Sequence, residues 1–117
     1  MSVATVINEA TLATATAATK TLVMGTSPSA FAVMWTVRDA TALGDLGATD
    51  VRPVAKDGTV LPISLTPAST EAAVISGGVA VKVDYFDAPG IEKIWLSVTN
   101  GAGADRNVVV DVGYSLG

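Results

Sequence analysis

The chain has 117 residues, the size of one domain, with no His, no Cys and only 15% charged side chains. That inventory excludes Ser-His-Asp and Cys-His catalysis and the usual zinc sites, and the chain is long enough to bury a core without staples. The net charge is −4 and the seven basic residues are scattered, so neither a phosphate-tracking stripe for nucleic acid nor a polybasic membrane contact is expected.

The start, Met1-Ser2-Val3-Ala4-Thr5, has no basic segment and no continuous apolar run, so a secretory leader is not expected. No run reaches the roughly 18 apolar residues of a membrane span. Residues 2–20 are rich in Ala and Thr; their period-two alternation carries little bulk and specifies register weakly. Residues 1–25 are therefore expected to form an extended arm that pairs with a sheet edge, a neighbour's included, or else a frayed terminus. The folded domain is expected over 26–117. Val3, Val6, Ile7 and Leu12 are the arm's candidate interface residues, and its removal is expected to weaken docking more than folding.

From Ala30 the pattern sharpens. Phe31, Val33, Trp35 and Val37 alternate with smaller side chains and predict a strand over 30–37. Residues 39–50, with two Gly and three Asp, read as a loop. Asp57-Gly58 predicts a tight hairpin between strands 51–56 and 59–66, pairing Lys56 with Thr59 and Val54 with Leu61. Leu61, Ile63 and Leu65 would then face inward, and Arg52 would lie opposite Ile63. Pro53 and Pro62 confine both strands to an edge or a bulge. Residues 67–77 fit either a short helix, capped by Thr66 and closed by Gly77, or a strand through Val74-Ile75. A strand over 79–86 would point Val79, Val81, Val83 and Tyr85 inward and Lys82 and Asp84 outward. Asp87-Ala88-Pro89-Gly90 reads as a turn. Strands 91–100 and 107–116, the latter ending in an alternation that reaches Leu116, form a C-terminal pair joined by a flexible hairpin loop over 101–106. Some seven strands without a strong helix predict an all-β protein: an antiparallel β-sandwich, jelly-roll-like, with an extended N-terminal arm.

Few residues invite a chemical reading. Gly101-Ala102-Gly103 follows a strand but precedes another, so it lacks the helix that a dinucleotide fingerprint needs. Asp84 and Asp87 could in principle bind Ca²⁺ or act as a carboxylate pair; the preferred reading is a solvated turn. No catalytic residue, metal site or cofactor is expected. Trp35 shares a face with Phe31 and Val33 and reads as core. Trp95 alternates with Lys93 and Ser97 on a polar face, opposite Ile94 and Leu96. A Trp there is an interface anchor, a platform for a sugar ring, or a ring covered by a long side chain. Trp95 and Lys93 join the candidate interface. The high mean hydropathy points to surface buried between chains, as a homo-oligomer (trimer or dimer) or on a larger assembly.

Three segments carry a resemblance: Phe31-Ala32-Val33-Met34-Trp35; the turn Lys56-Asp57-Gly58-Thr59; and Ile91 to Thr99 followed by Val108-Val109-Val110-Asp111-Val112. In spacing and style the chain resembles small β-sandwich virion proteins of tailed bacteriophages, and its Ala/Thr-rich start resembles the arms of coat-associated proteins. The resemblance implies a non-enzymatic capsid decoration, or cement, protein made in the host cytoplasm. It would sit on the outer capsid surface and clamp the major capsid protein or another virion protein. The alternative is a carbohydrate-binding or adhesin module of a tail or head fibre, with Trp95 as its platform.

Overall fold

The computed structural model describes residues 2–25, 28–87 and 89–115. Eight strands follow one another: β1 (Ser2–Leu12), β2 (Ala17–Val23), β3 (Ala30–Arg38), β4 (Leu46–Pro53), β5 (Ser69–Ser76), β6 (Val79–Asp87), β7 (Lys93–Asn100) and β8 (Arg106–Tyr114). A single 3₁₀ turn, Leu43–Asp45, precedes β4. Among the described residues no helix is long and apolar enough to cross a membrane. The strands build two antiparallel sheets, β1-β8-β3-β6-β5 and β2-β7-β4, so the protein is an all-β sandwich.

The order is that of a jelly roll with one strand moved. An eight-strand jelly roll sets β1-β8-β3-β6 against β2-β7-β4-β5. Here β5 has left β4 and lies beside β6. The cause is local. Gly77 and Gly78 both have positive φ, 59° and 77°, and Ser76 pairs directly with Val79. Two consecutive positive φ values make the primed turn that folds strands back on each other. Of the two readings of 67–77 the strand is the one formed, over Ser69–Ser76.

The core is the meeting of two alternating faces. Phe31, Val33, Trp35 and Val37 of β3 and Val108, Val110 and Val112 of β8 point inward from the large sheet. Ile94, Leu96 and Val98 of β7 answer from the small one, and all ten are buried. At roughly 1.5–3 kcal/mol per fully buried aliphatic side chain, this layer is the main source of stability. Phe31 and Phe86 stack with ring centroids 4.8 Å apart.

Several expectations need correction. The N-terminal segment does pair with sheet strands, but they are those of its own domain, and it is neither a separate arm nor a frayed terminus. β1 pairs with β8 from Ser2↔Tyr114 to Leu12↔Arg106, and β2 pairs with β7 along its whole length. Ile7, Leu12, Ala18 and Met24 are buried in the common core; the neighbouring strands supply the register that the Ala/Thr pattern leaves open. β7 and β8 are not a hairpin, because they belong to different sheets and the 101–105 connection crosses between them. That crossing is pinned by Asn100, fully buried, whose carboxamide donates to the carbonyls of Leu12 (2.8 Å) and Ala104 (2.9 Å) and accepts from the amide of Ala102 (2.8 Å). β4 begins inside the expected loop, at Leu46. Gly47 lets it pass against the 99–101 backbone, where a Cβ would meet the Thr99 carbonyl at 2.6 Å.

The Asp57-Gly58 turn forms, with Gly58 at φ 95° and the Asp57 carboxylate accepting the Thr59 amide at 2.9 Å. Its register is one residue off: Val54 bridges Val60. The second arm is then only a strap, and Ile63 on it is exposed, not inward. Arg52 pairs with Trp95 instead of lying opposite Ile63. The prolines do mark an edge, since β4, which ends in Pro53, borders the small sheet. Leu116 of the last expected strand and Ala88 of the expected turn lie outside the described residues.

Asp45, buried before β4, accepts the Thr41 amide at 2.9 Å and Arg106 Nε at 3.2 Å. The Thr41 amide, followed by Arg106, holds its carboxyl below the usual range against the opposing pull of burial. A lowered folded-state value contributes stability above the ordinary carboxylate pKa and loses it as pH falls through the folded value. Asp45→Asn should therefore lower the urea midpoint at neutral pH, with the deficit shrinking below about pH 4. A second outcome concerns β1. Ile7→Ala should cost about 2–5 kcal/mol in urea unfolding, and a chain lacking residues 1–12 should show no cooperative thermal transition.

Candidate functional site

Two surfaces stand out once the strands are in register. The first is the outer face of the five-stranded sheet. β6 presents the opposite face from the one its sequence suggests: Ala80, Asp84 and Phe86 are buried and Lys82 is half-buried, while Val79, Val81 and Val83 are only half-buried and Tyr85 is exposed. The four large side chains therefore lie on the outer face. Strand pairing carries them into rows. Tyr85, Ala32 and Gly113 form one row with Val3 at its end. Val83 and Met34 lie in the next, which continues through Asp111 to Thr5. A third runs from Val74 through Val81 and Thr36 to Val109. Val3 (69%), Val74 (57%), Tyr85 (41%) and Met34 (40%) keep large accessible fractions. A contiguous apolar sheet face open to water is unusual on a soluble chain. Asp111, which accepts the Thr5 hydroxyl at 2.6 Å, is the one charge in the middle of this face, and Glu71 borders it on β5.

The second surface is a cleft of about 560 Å³ at the edge of the sandwich. It opens where β5 would stand in a regular jelly roll, beside β4 and opposite β6. The strap after the Asp57-Gly58 turn follows the free edge of β4, where the Leu65 amide donates to the Val51 carbonyl at 2.7 Å, and then crosses to the large sheet, where Ala68 donates to Tyr85 at 2.7 Å. Its Leu65 and Pro67 line one wall of the cleft. Deeper in lies a polar chain. Asp84, buried, accepts Trp35 Nε1 at 2.9 Å and the Thr70 hydroxyl at 2.7 Å. Lys82 Nζ stands 3.6 Å from Asp84 and donates to the Thr49 hydroxyl at 2.7 Å. At the rim Asp50 accepts Arg52 Nε at 2.8 Å and the Ser64 hydroxyl at 2.6 Å. Asp84 is thus neither a solvated turn residue nor an outward one. It holds an inward position that alternation would give to an apolar side chain.

The six residues singled out from the sequence do not come together. Ile7 and Leu12 are core and offer no surface; Val6 is half-buried against the same core. Val3 is exposed on the outer face of the large sheet. Lys93 and Trp95 lie on the other side of the molecule, on the outer face of the small sheet. Trp95 is half-buried under the Arg52 guanidinium, 5.4 Å from the ring centroid: a long side chain covers it. Lys93 Nζ reaches the Lys56 carbonyl at 3.4 Å, beside the turn. The residues missed are Met34, Val81, Val83 and Tyr85 of the apolar face and Lys82 of the cleft. One signal could have found them: Lys82 and Asp84 have the same parity as Phe86, whose ring has to be inside.

Trp35→Phe removes the donor to buried Asp84 and leaves a small void where the second ring stood. It should cost at least about 1–3 kcal/mol in urea unfolding, the usual effect of depriving a buried acceptor of a partner, with the void adding to it. No protein-family model and no curated protein sequence matches the chain.

Proposed function

We propose that the protein is a non-enzymatic assembly component that docks through the outer face of its five-stranded sheet, and that its setting is the outer surface of a virion shell, as a decoration protein. The observation that carries this reading is the row structure of that face, in which Val3, Met34, Val74 and Tyr85 are exposed and the half-buried Val81 and Val83 join them into one apolar surface. Five strands about 4.8 Å apart and three side-chain rows give a face of roughly 20 by 20 Å, or about 400 Å². That is about half the surface that each partner brings to a standard interface. A single contact of this size is weak; the same contact repeated over a lattice is not.

Charge selects the occupant. A symmetric dimer with its axis near the middle of the face would bring two Asp111 carboxylates together out of water, which is costly. A different protein, with an apolar patch and a basic side chain opposite Asp111, meets no such penalty. The carbohydrate reading based on Trp95 has little support, since Arg52 occupies the face of that ring. The carboxylates of the cleft already accept hydrogen bonds on both oxygens, which favours holding over reacting.

The test is co-sedimentation with empty shells of the coat protein encoded in the same genome. The wild-type chain should pellet with the shells, and Met34→Glu should stay in the supernatant with its thermal transition within a few degrees of wild type. A wild-type chain that remains in the supernatant overturns the virion reading. Concentration-dependent dimers or trimers that Met34→Glu dissolves would assign the face to further copies of this chain.

A further inference from the structure

We propose that the cleft between β4, β6 and the 61–68 strap is a binding site for a neutral sugar of one or two residues. The proposal is independent of the docking face, which lies on the opposite side of the large sheet.

A sandwich interior is normally filled by apolar side chains from both sheets. From Phe31 to Val37 of β3 and from Val108 to Val112 of β8 the inward side chains are apolar or aromatic. β6 breaks the rule in its middle, with Lys82 and Asp84 at successive inward positions. An ion pair with one partner buried and the other half-buried seldom stabilises a fold more than apolar residues of equal volume would, so stability alone does not account for it. A ligand that needs these groups does. The cleft's volume, about 560 Å³, lies within the range of small-molecule sites.

The polar groups then define the ligand. Inside the cleft Lys82 stands against Asp84, and at the rim Asp50 is already paired with Arg52, which lies outside the cleft over Trp95, so the site is electrically balanced. An anion would meet the two carboxylates and a cation would meet Lys82. What suits such a site is a group that donates and accepts at once, a hydroxyl. The available partners alternate accordingly. Lys82 Nζ has three donors and uses one on Thr49 and one toward Asp84, leaving one. Thr49 accepts from Lys82 and so keeps its own hydrogen to give. The Thr70 and Ser64 hydroxyls donate to Asp84 and Asp50 and keep lone pairs to accept with. Asp84 is braced by Trp35, Thr70 and Lys82, so it enters the site already oriented and needs no reordering on binding. Leu65, Pro67 and Val51 supply an apolar wall for the C–H side of a pyranose ring. A neutral, hydroxyl-rich ring with one apolar side matches this lining.

The two tryptophans make the test specific, because their indole N–H signals report separate places. Trp35 donates into the cleft through Asp84, and Trp95 lies on the far face of the small sheet. Glucose, galactose, mannose, N-acetylglucosamine and their common disaccharides are titrated, one at a time, into ¹⁵N-labelled protein. At least one should shift the Trp35 indole signal and the amides of 48–51, 64–70 and 82–86 saturably, leaving Trp95 unmoved. Lys82→Met and, separately, Thr49→Val should weaken that sugar's affinity at least about tenfold, the scale of one charge-assisted hydrogen bond. Thr49→Val conserves shape and strand preference, so it carries the test if Lys82→Met does not fold. No saturable shift with any of these sugars overturns the proposal. So does binding that moves Trp95 instead of Trp35, or saturable shifts by acetate or ammonium in place of the sugars.

Discussion

The turn at Gly77-Gly78 is the constraint on which both surfaces depend. Two adjacent residues held at positive φ return the chain at once, so β5 has to pair with β6. Had the chain continued past this point without such a turn, β5 would be free to take the regular jelly-roll place beside β4. Moving one strand has two effects of opposite kind. The large sheet gains a fifth strand, which adds Val74 to its apolar outer face and Glu71 to that face's border. The small sheet loses its fourth, which leaves the inner face of β6 without an opposing strand. The cleft is that missing strand's volume, partly roofed by the strap.

Polar residues in the interior become intelligible from this point. Lys82 and Asp84 would be hard to place under a complete small sheet, where water could not reach the ammonium. Beside an open cleft Lys82 keeps contact with solvent while its charge is balanced by Asp84. Asp84 itself is satisfied by Trp35 and Thr70 from the flanking strands, as buried acceptors have to be. The arrangement ties β3, β5 and β6 together side chain to side chain, beneath the backbone ladder. On the other side of the molecule the contrast is sharp. The small sheet's outer face is polar and occupied, with Arg52 lying over Trp95 and bonded to Asp50.

Much of the architecture was legible in the sequence. The alternations in β3, β7 and β8 carry enough bulk on one side to fix which face is inside, and the structure agrees residue by residue from Phe31 to Val37 and from Ile94 to Val98. β6 misled because it is apolar on both faces: Val79, Val81, Val83 and Tyr85 outweigh Ala80 and Phe86 in a simple count, and only a partner strand decides between them. The N-terminal strands misled for the opposite reason, having too little bulk to declare a face. Ile7 and Leu12 become core only because β8 sets their register. Gly77-Gly78 was a hairpin signal as strong as Asp57-Gly58, masked by a capping pattern around Thr66-Pro67. Neither surface could be read directly, since each is assembled from strands distant in sequence and depends on which sheet β5 joins.

Asn100 has a chemical as well as a structural consequence. It is followed by Gly101, and in an unrestrained Asn–Gly pair the glycine nitrogen, unhindered by a side chain, readily attacks the side-chain carbonyl, expelling ammonia to leave a cyclic imide that water then opens to an acid. In the folded protein the reacting atoms are kept apart. The carboxamide is engaged by Leu12, Ala104 and Ala102, and the Gly101 nitrogen donates to the Asp45 carbonyl at 3.0 Å. Loss of that amide is therefore a clock that runs only while the 101–105 crossing is open. Once it has run, the site that pinned β1 to the crossing would hold a carboxylate facing the carbonyls of Leu12 and Ala104, and a transient opening would become a permanent one.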